Sequence, residues 1–222
     1  MIQMLQDADL WLLHKLNLEW TNAALDRLLP TVTNLNACMP VIVLAALIAV
    51  IFGGVRSRLL MLAIGIAIGL GDGIISKTLK SSVGRLRPHE ARAEIIMRAL
   101  PMRKPAVLAA FQAPVETSGD LAKPGSRGNS FPSSHVINMF SAAAACWTVF
   151  GRRAWWMAVI ASLVAWSRVY CGVHWPGDLL FSIPAGILCG WFSVRVVDAL
   201  WKKYGARIFP TAREKTPSLL PS

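Results

Sequence analysis

Charge is scarce in this chain, and so is cysteine. Of 222 residues only 16% are Asp, Glu, Lys or Arg, against 55% hydrophobic residues and a mean hydropathy of +0.49. Soluble domains carry about 25% charged residues, so this balance excludes an ordinary soluble fold and points to a small polytopic membrane protein folded as one bundle. The four cysteines, Cys38, Cys146, Cys171 and Cys189, have neither the paired spacing of a zinc site nor the density of a disulfide scaffold. Each lies in or beside an apolar run and is expected as a buried thiol. The first residues lack a basic start followed by an unbroken apolar core, so no cleavable signal is expected and insertion depends on the spans themselves. Negative charge is the scarcer sign: 12 Asp and Glu stand against 23 Lys and Arg, a formal net charge of +11. The cations fall in loops and a tail between apolar runs rather than on one soluble face. Membrane topology therefore explains them, and no nucleic-acid partner is expected.

What is present is a succession of apolar runs. Residues 1–36 alternate Leu5, Leu12, Leu13 and Leu16 with Asp7, Asp9, Lys15, Glu19 and Asp26, a pattern for amphipathic helices at the membrane interface, interrupted near Asn17 and at Pro30. Spans are expected over about 38–52, 59–79, 133–151, 154–166 and 176–201, the last kinked at Pro184. Asp72 and Lys77 interrupt the second and Lys80 closes it. Residues 81–131 form the longest polar break, with a basic insert over 89–131 that carries Arg92, Arg98, Arg103, Lys104, Lys123 and Arg127 and is expected to add interfacial helices. Residues 202–222 read as a basic, mobile tail. The fold class is therefore all-α, a polytopic membrane helical bundle of roughly five to six spans with an N-terminal amphipathic region. Its expected divisions are 1–36, a membrane domain 37–201 and the tail 202–222.

Counting crossings decides which polar groups meet. Residues 80–88, 132–135 and 168–178 fall on one side, whereas Arg56, Arg58, Arg152, Arg153, Lys202, Lys203 and Arg207 lie on the other. Short cationic loops mark the cytoplasmic side. The convergent segments are thus expected to face the periplasm or the exterior of a bacterial inner membrane, with the tail in the cytoplasm.

Those segments carry chemistry. Lys80, Arg87 and Arg168 offer three fixed cations, His135 and His174 two titratable rings, and Asp178 a carboxylate four residues after His174. Ionisable groups at membrane depth are costly and usually face a site. Phosphoryl transfer asks a protein mainly to position the phosphoryl group and balance its charge, which guanidinium and ammonium groups do well. Neither the histidines nor the carboxylates show ligand spacing, so no metal and no cofactor is expected. Ser133 and Ser134 stand at the expected start of a helix, where backbone N–H groups favour an anion. Asp178 can hold one nitrogen of His174 and leave the other to attack phosphorus, with His135 protonating the departing oxygen.

Lys80, six residues, Arg87-Pro88; Pro132-Ser133-Ser134-His135; and Ser167-Arg168, five residues, His174, three residues, Asp178 resemble, in that order, the three motifs of the phosphatidic acid phosphatase type 2 superfamily. The resemblance implies an integral membrane lipid phosphatase, independent of metal, that passes through a phosphohistidine. By this likeness His174 is the nucleophile, His135 the acid, and Lys80, Arg87, Ser133 and Arg168 hold phosphate. Ser134 stands where the family commonly has Gly, and the extra N-terminal span common in the membrane branch is not found. Arg85 and His89 flank the first motif as weaker candidates. The expected substrate is a membrane phospholipid or isoprenoid phosphate: undecaprenyl diphosphate, phosphatidylglycerophosphate, phosphatidic acid or lipid A. The alternatives are a non-catalytic lipid-binding or transport protein on a degenerate phosphatase scaffold, and a haloperoxidase, which membrane spans disfavour. Oligomeric state is left open.

Overall fold

Asparagines punctuate the N-terminal region. In the computed structural model, which describes residues 2–221, helix α1 (Ile2–His14) runs into a wide π turn over Lys15–Glu19 and breaks at Trp20. Asn22 then caps α2 (Ala23–Thr33), its side-chain oxygen accepting from the N–H groups of Ala24 and Leu25. Pro30 does not interrupt the chain as expected; it sits inside α2, and Thr31 Oγ1 donates to the carbonyl of Arg27 one turn back. The break falls instead at Asn34, which caps the next helix through Ala37 N–H, and the chain bends by 62° into α3 (Leu35–Ile51).

The remaining helices follow the apolar runs. They are α4 (Val55–Ile68), a π stretch over Gly69–Ser76, α5 (Lys77–Val83), the short α6 (Pro88–Ala91), α7 (Ser134–Phe150), α8 (Trp155–Tyr170), α9 (Pro176–Ile208) and α10 (Pro210–Lys215). The insert adds no interfacial helix of any length. Beyond α6 it forms an antiparallel ribbon, β1 (Met97–Ala99) paired with β2 (Val115–Thr117), with one 3₁₀ turn at Ala106–Ala109. Its prolines and polar residues leave too few apolar positions at helical spacing. Cys171 and Cys189 are buried, Cys38 and Cys146 are half-buried, and all four are free thiols.

Val55–Ala91 and Pro176–Ile208 are long and apolar enough to cross a membrane, and the bent pair α2 and α3 makes a third crossing if it counts as one span. Helices α7 and α8, at 17 and 16 residues, fall short of the roughly 20 that a bilayer core requires. Helix α3 exposes Val41, Ile42, Val43, Leu44, Leu47 and Ile48. So wide an apolar surface is stable where lipid is the solvent. The molecule is a helical membrane protein.

The chain divides into two compact units. The first comprises Met1–Pro40, Ser76–His135 and Ser162–Ser182, and the second Val41–Ile75, Val136–Ala161 and Ile183–Ser222; Met1 and Ser222, the ends of the expected N-terminal region and tail, lie outside the described residues. In the first unit α1 is tied down from within. The buried Asn17 donates to the carbonyls of Ile96 and Tyr170 and accepts from Ile96 N–H, while Leu13, Ile95 and Val169 pack together. In the second unit Leu60, Ala63, Ala145, Val149, Val194, Val197, Trp201 and Leu219 make one core. The tail, expected to be mobile, is folded here. Leu219 is fully buried, and its N–H together with Ser218 Oγ donates to Asp198. Its apolar Leu219-Leu220 pair supplies the packing that a basic, Pro/Ser-rich composition conceals.

Candidate active site

The site residues lie within the first unit. Helix α8 ends at Tyr170, and the chain turns back on itself: the N–H groups of Val173 and His174 both donate to the carbonyl of Arg168. Gly172 makes the turn possible. Its φ is +68°, and a Cβ there would meet the Ile96 carbonyl at 2.6 Å. Pro176 then opens α9 in the position where a missing N–H costs nothing. Asp178 falls at the third helical position, and its carboxylate reaches back to accept from Trp175 N–H at 3.1 Å, one half of a capping box. That local rule explains the spacing. A carboxylate folded back over the helix start lies beside the residue just before the cap, which is His174.

His174 Nδ1 faces Asp178 Oδ2 at 3.4 Å. A proton on Nδ1 directed at that oxygen leaves Nε2 with its lone pair. The ring is 2% exposed. Burial is the first cause of a pKa lowered from 6.5 to about 4; the contact with Asp178 opposes it, and the charges of Arg168 and Arg87 add to it. Burial and the two guanidinium charges thus favour the neutral imidazole.

Asp178 is fully buried, and more than the histidine holds it. Oδ2 also accepts from Ser130 Oγ, and Oδ1 accepts from Arg85 Nη1 at 2.7 Å. The second arm of Arg85 reaches Asp9 Oδ2 at 2.6 Å, and its guanidinium lies 4.9 Å from the centre of the Trp175 ring.

Two of the three cations are anchored by hydroxyls. Lys80 Nζ donates to Ser134 Oγ at 2.8 Å, joining the first motif to the second, and Arg168 Nη1 donates to Thr33 Oγ1 at 2.7 Å. Arg87, which precedes Pro88 at the start of α6, is half-buried and acts electrostatically on Arg168 and His174. Ser133 N–H, expected to face an anion, instead donates to Ser182 Oγ, whose own proton goes to the Asp178 carbonyl. Its hydroxyl is another matter. Ser133 Oγ and Arg168 Nε are buried polar atoms with no hydrogen-bond partner among the described residues. An orphaned buried donor costs about 1–3 kcal/mol. Ser76 and Ser193 hold such orphans too, so it is their company of cations that makes Ser133 and Arg168 suit an oxyanion. His135 follows Ser134 in the first turn of α7 and is half-buried.

Two flanking candidates have other duties. Arg85 holds carboxylates, and His89 binds the turn that carries His174, its N–H donating to the Gly172 carbonyl and its Nδ1 lying 2.9 Å from the same oxygen. Among the described residues no three His, Cys, Asp or Glu side chains are grouped to hold a metal ion. Sequence reasoning missed Asp9, Thr33, Ser130 and Ser182. Ser130 could have been found as a small polar residue two positions before Pro132; Asp9 and Thr33 stand in other helices and leave no signal near the motifs.

The first unit of this helical membrane fold thus carries three cations and two histidines, one of them held by a buried carboxylate. A profile of the PAP2 superfamily matches residues 58–202, and the chain belongs to that family. It is 38% identical over 86 residues to "Putative undecaprenyl-diphosphatase YbjG" of Escherichia coli (strain K12), covering 36% of this chain and 39% of that protein. It is 29% identical over 148 residues to "Lipid A 4'-phosphatase" of Bacteroides thetaiotaomicron, covering 63% and 55%. The chain thus spans less than two thirds of the length of these curated relatives. The crystal structure of Aquifex aeolicus LpxE has the same fold, with a TM-score of 0.59 at 19% identity over 84% of this chain and 94% of that one.

Proposed function

We propose that this chain is a lipid phosphatase that hydrolyses a phosphate monoester or diphosphate through a phosphohistidine on His174. The observation that carries the reading is the buried imidazole held on one side by Asp178, with Arg87 and Arg168 acting on it electrostatically. Lys80, Arg87, Arg168, Ser133 and Ser134 hold the phosphoryl oxygens. Nε2 attacks phosphorus, the N–P bond forms as the bond to the lipid-side oxygen breaks, and His135 gives that oxygen its proton. His135 then takes a proton from water, hydroxide displaces His174 from phosphorus, and phosphate leaves.

The cations supply the charge balance that a metal supplies elsewhere, so turnover is expected to survive chelation. The relatives named for undecaprenyl diphosphate and lipid A support a lipid substrate of that kind. The five apolar segments would act as spans, with the site facing the periplasm of an inner membrane. Phosphate release by purified protein is the test, from a panel of undecaprenyl diphosphate, phosphatidylglycerophosphate, phosphatidic acid and lipid A, each with and without EDTA. Release from at least one lipid, lost in His174→Ala and kept in EDTA, is the expected result. No release from any of them, or equal release by the variant, overturns the proposal.

A further inference from the structure

Asp9 belongs to no motif and stands on α1, yet it is 10% exposed and carries contacts to both sides of the site's carboxylate. Its Oδ2 accepts from Arg85 Nη2 at 2.6 Å, and its Oδ1 accepts from Gly177 N–H at 2.6 Å. Arg85 spends its other arm on Asp178 Oδ1 at 2.7 Å, and Gly177 is the residue immediately before Asp178. Asp9 therefore fixes Asp178 twice, once through a guanidinium bridge and once through the backbone of α9. Gly177 suits this approach, because a Cβ there would lie 3.1 Å from Asp9 Oδ2.

The arrangement has an electrostatic sense as well as a geometric one. A single guanidinium facing only Asp178 would be free to draw that carboxylate away from His174. Shared between two carboxylates at nearly equal distances, Arg85 is held in the middle, with Trp175 against its guanidinium. Asp178 then keeps Oδ2 for Ser130, Trp175 and His174, and Oδ1 for Arg85.

We infer that Asp9 is a positioning residue of the reaction, acting through Arg85 and Gly177 on Asp178 and so on the orientation of His174, which makes α1 part of the catalytic apparatus. The inference rests on the phosphatase reading. A misplaced nucleophile slows the chemical step without loosening the cations that bind phosphate. Loss of Asp9 is therefore expected to lower kcat and leave KM nearly unchanged.

The test uses the full chain in detergent with farnesyl diphosphate and dioctanoyl phosphatidate as probes. Asp9→Asn is expected to lower kcat about tenfold with KM within about twofold. The same substitution in an Arg85→Gln background is expected to cost clearly less than in wild type, because the guanidinium bridge is already gone and only the link to Gly177 is left to weaken. Asp7→Asn, an equal change of charge at an exposed neighbour on α1, should match wild type. Gly177→Ala reaches the link without touching a charge. A Cβ there would press on Asp9 Oδ2 at 3.1 Å, so the inference predicts a fall in kcat with KM within about twofold, whereas a purely structural role predicts a lower unfolding temperature with kcat of the folded protein unchanged. Wild-type kcat in Asp9→Asn, or in Gly177→Ala should Asp9→Asn not fold, overturns the inference. So does a loss of equal size with and without Arg85. A chain that releases no phosphate from either probe or from any lipid of the panel, with wild type as silent as His174→Ala, overturns the phosphatase reading itself.

Discussion

If His174 is the nucleophile, its titration sets the pH range in which the proposed chemistry can run. In the proposed mechanism only its neutral form attacks phosphorus, so activity is expected to fall as pH drops through its pKa. Burial and two guanidinium charges lower that pKa from 6.5 to about 4. The loss is therefore displaced downward, and kcat/KM should stay level from neutral pH to about 5 before falling. A pH–rate profile checks this; an acid limb centred near 6.5 would mean the ring is solvated in the working enzyme. Arg168 is the second residue whose deletion is informative. It is 9% exposed, one arm is fixed by Thr33, and its Nε has no partner among the described residues. Arg168→Ala should lower turnover by the scale of an oxyanion donor, about 2.7–4 kcal/mol or 10²–10³-fold. Steady-state rates on the best lipid of the panel measure it, and turnover within threefold of wild type would remove Arg168 from the phosphate cradle.

Among the elements, the long α9 shows how a helix can serve two purposes. Its first two turns carry Asp178 and Ser182, and further along, in the second unit, it packs closely through glycine. A Cβ at Gly190 would meet the Ser141 carbonyl at 2.2 Å, and one at Gly186 the Ile137 carbonyl at 2.5 Å. Small residues let membrane helices approach to backbone contact. Gly190→Leu is expected to lower the unfolding temperature in detergent by separating α9 from α7 at Ser141; an unchanged melting curve would contradict that packing. The elements also show how far the sequence could be read. The apolar runs did mark the helices, and the cap rule behind His174 and Asp178 is local, so both were legible in residue order. Asp9 was not, because its partners Arg85 and Gly177 belong to other elements and an amphipathic helix gives no hint of which acidic residue turns inward. Pro30 misled because a proline can be carried within a helix, its i−4 neighbour left without that bond. The β ribbon of the insert was invisible because each strand has three residues, too few to show alternation. Leu219 shows the same limit at the other end of the chain: composition marks a tail as mobile, whereas its burial and the bonds of Ser218 and Leu219 to Asp198 hold it.

For the whole molecule, the sidedness of the insert and the identity of the reacting atom are the claims on which the account stands. A cysteine at the exposed Ser118, introduced into a cysteine-free chain, should react with an impermeant maleimide added from the periplasmic side of intact cells whose outer membrane has been made permeable. Labelling only after the inner membrane is opened would reverse the orientation. Excess positive charge fits that orientation in the short loops, where Arg56, Arg58, Arg152 and Arg153 lie. The most direct measurement looks for the covalent intermediate itself. Enzyme turning over its best lipid is quenched in alkali, which preserves the N–P bond, and its peptides are read by mass spectrometry. The account predicts phosphate on His174, formed by wild type and absent from His174→Ala. Phosphate on His135 instead, or on no residue while turnover proceeds, would contradict it.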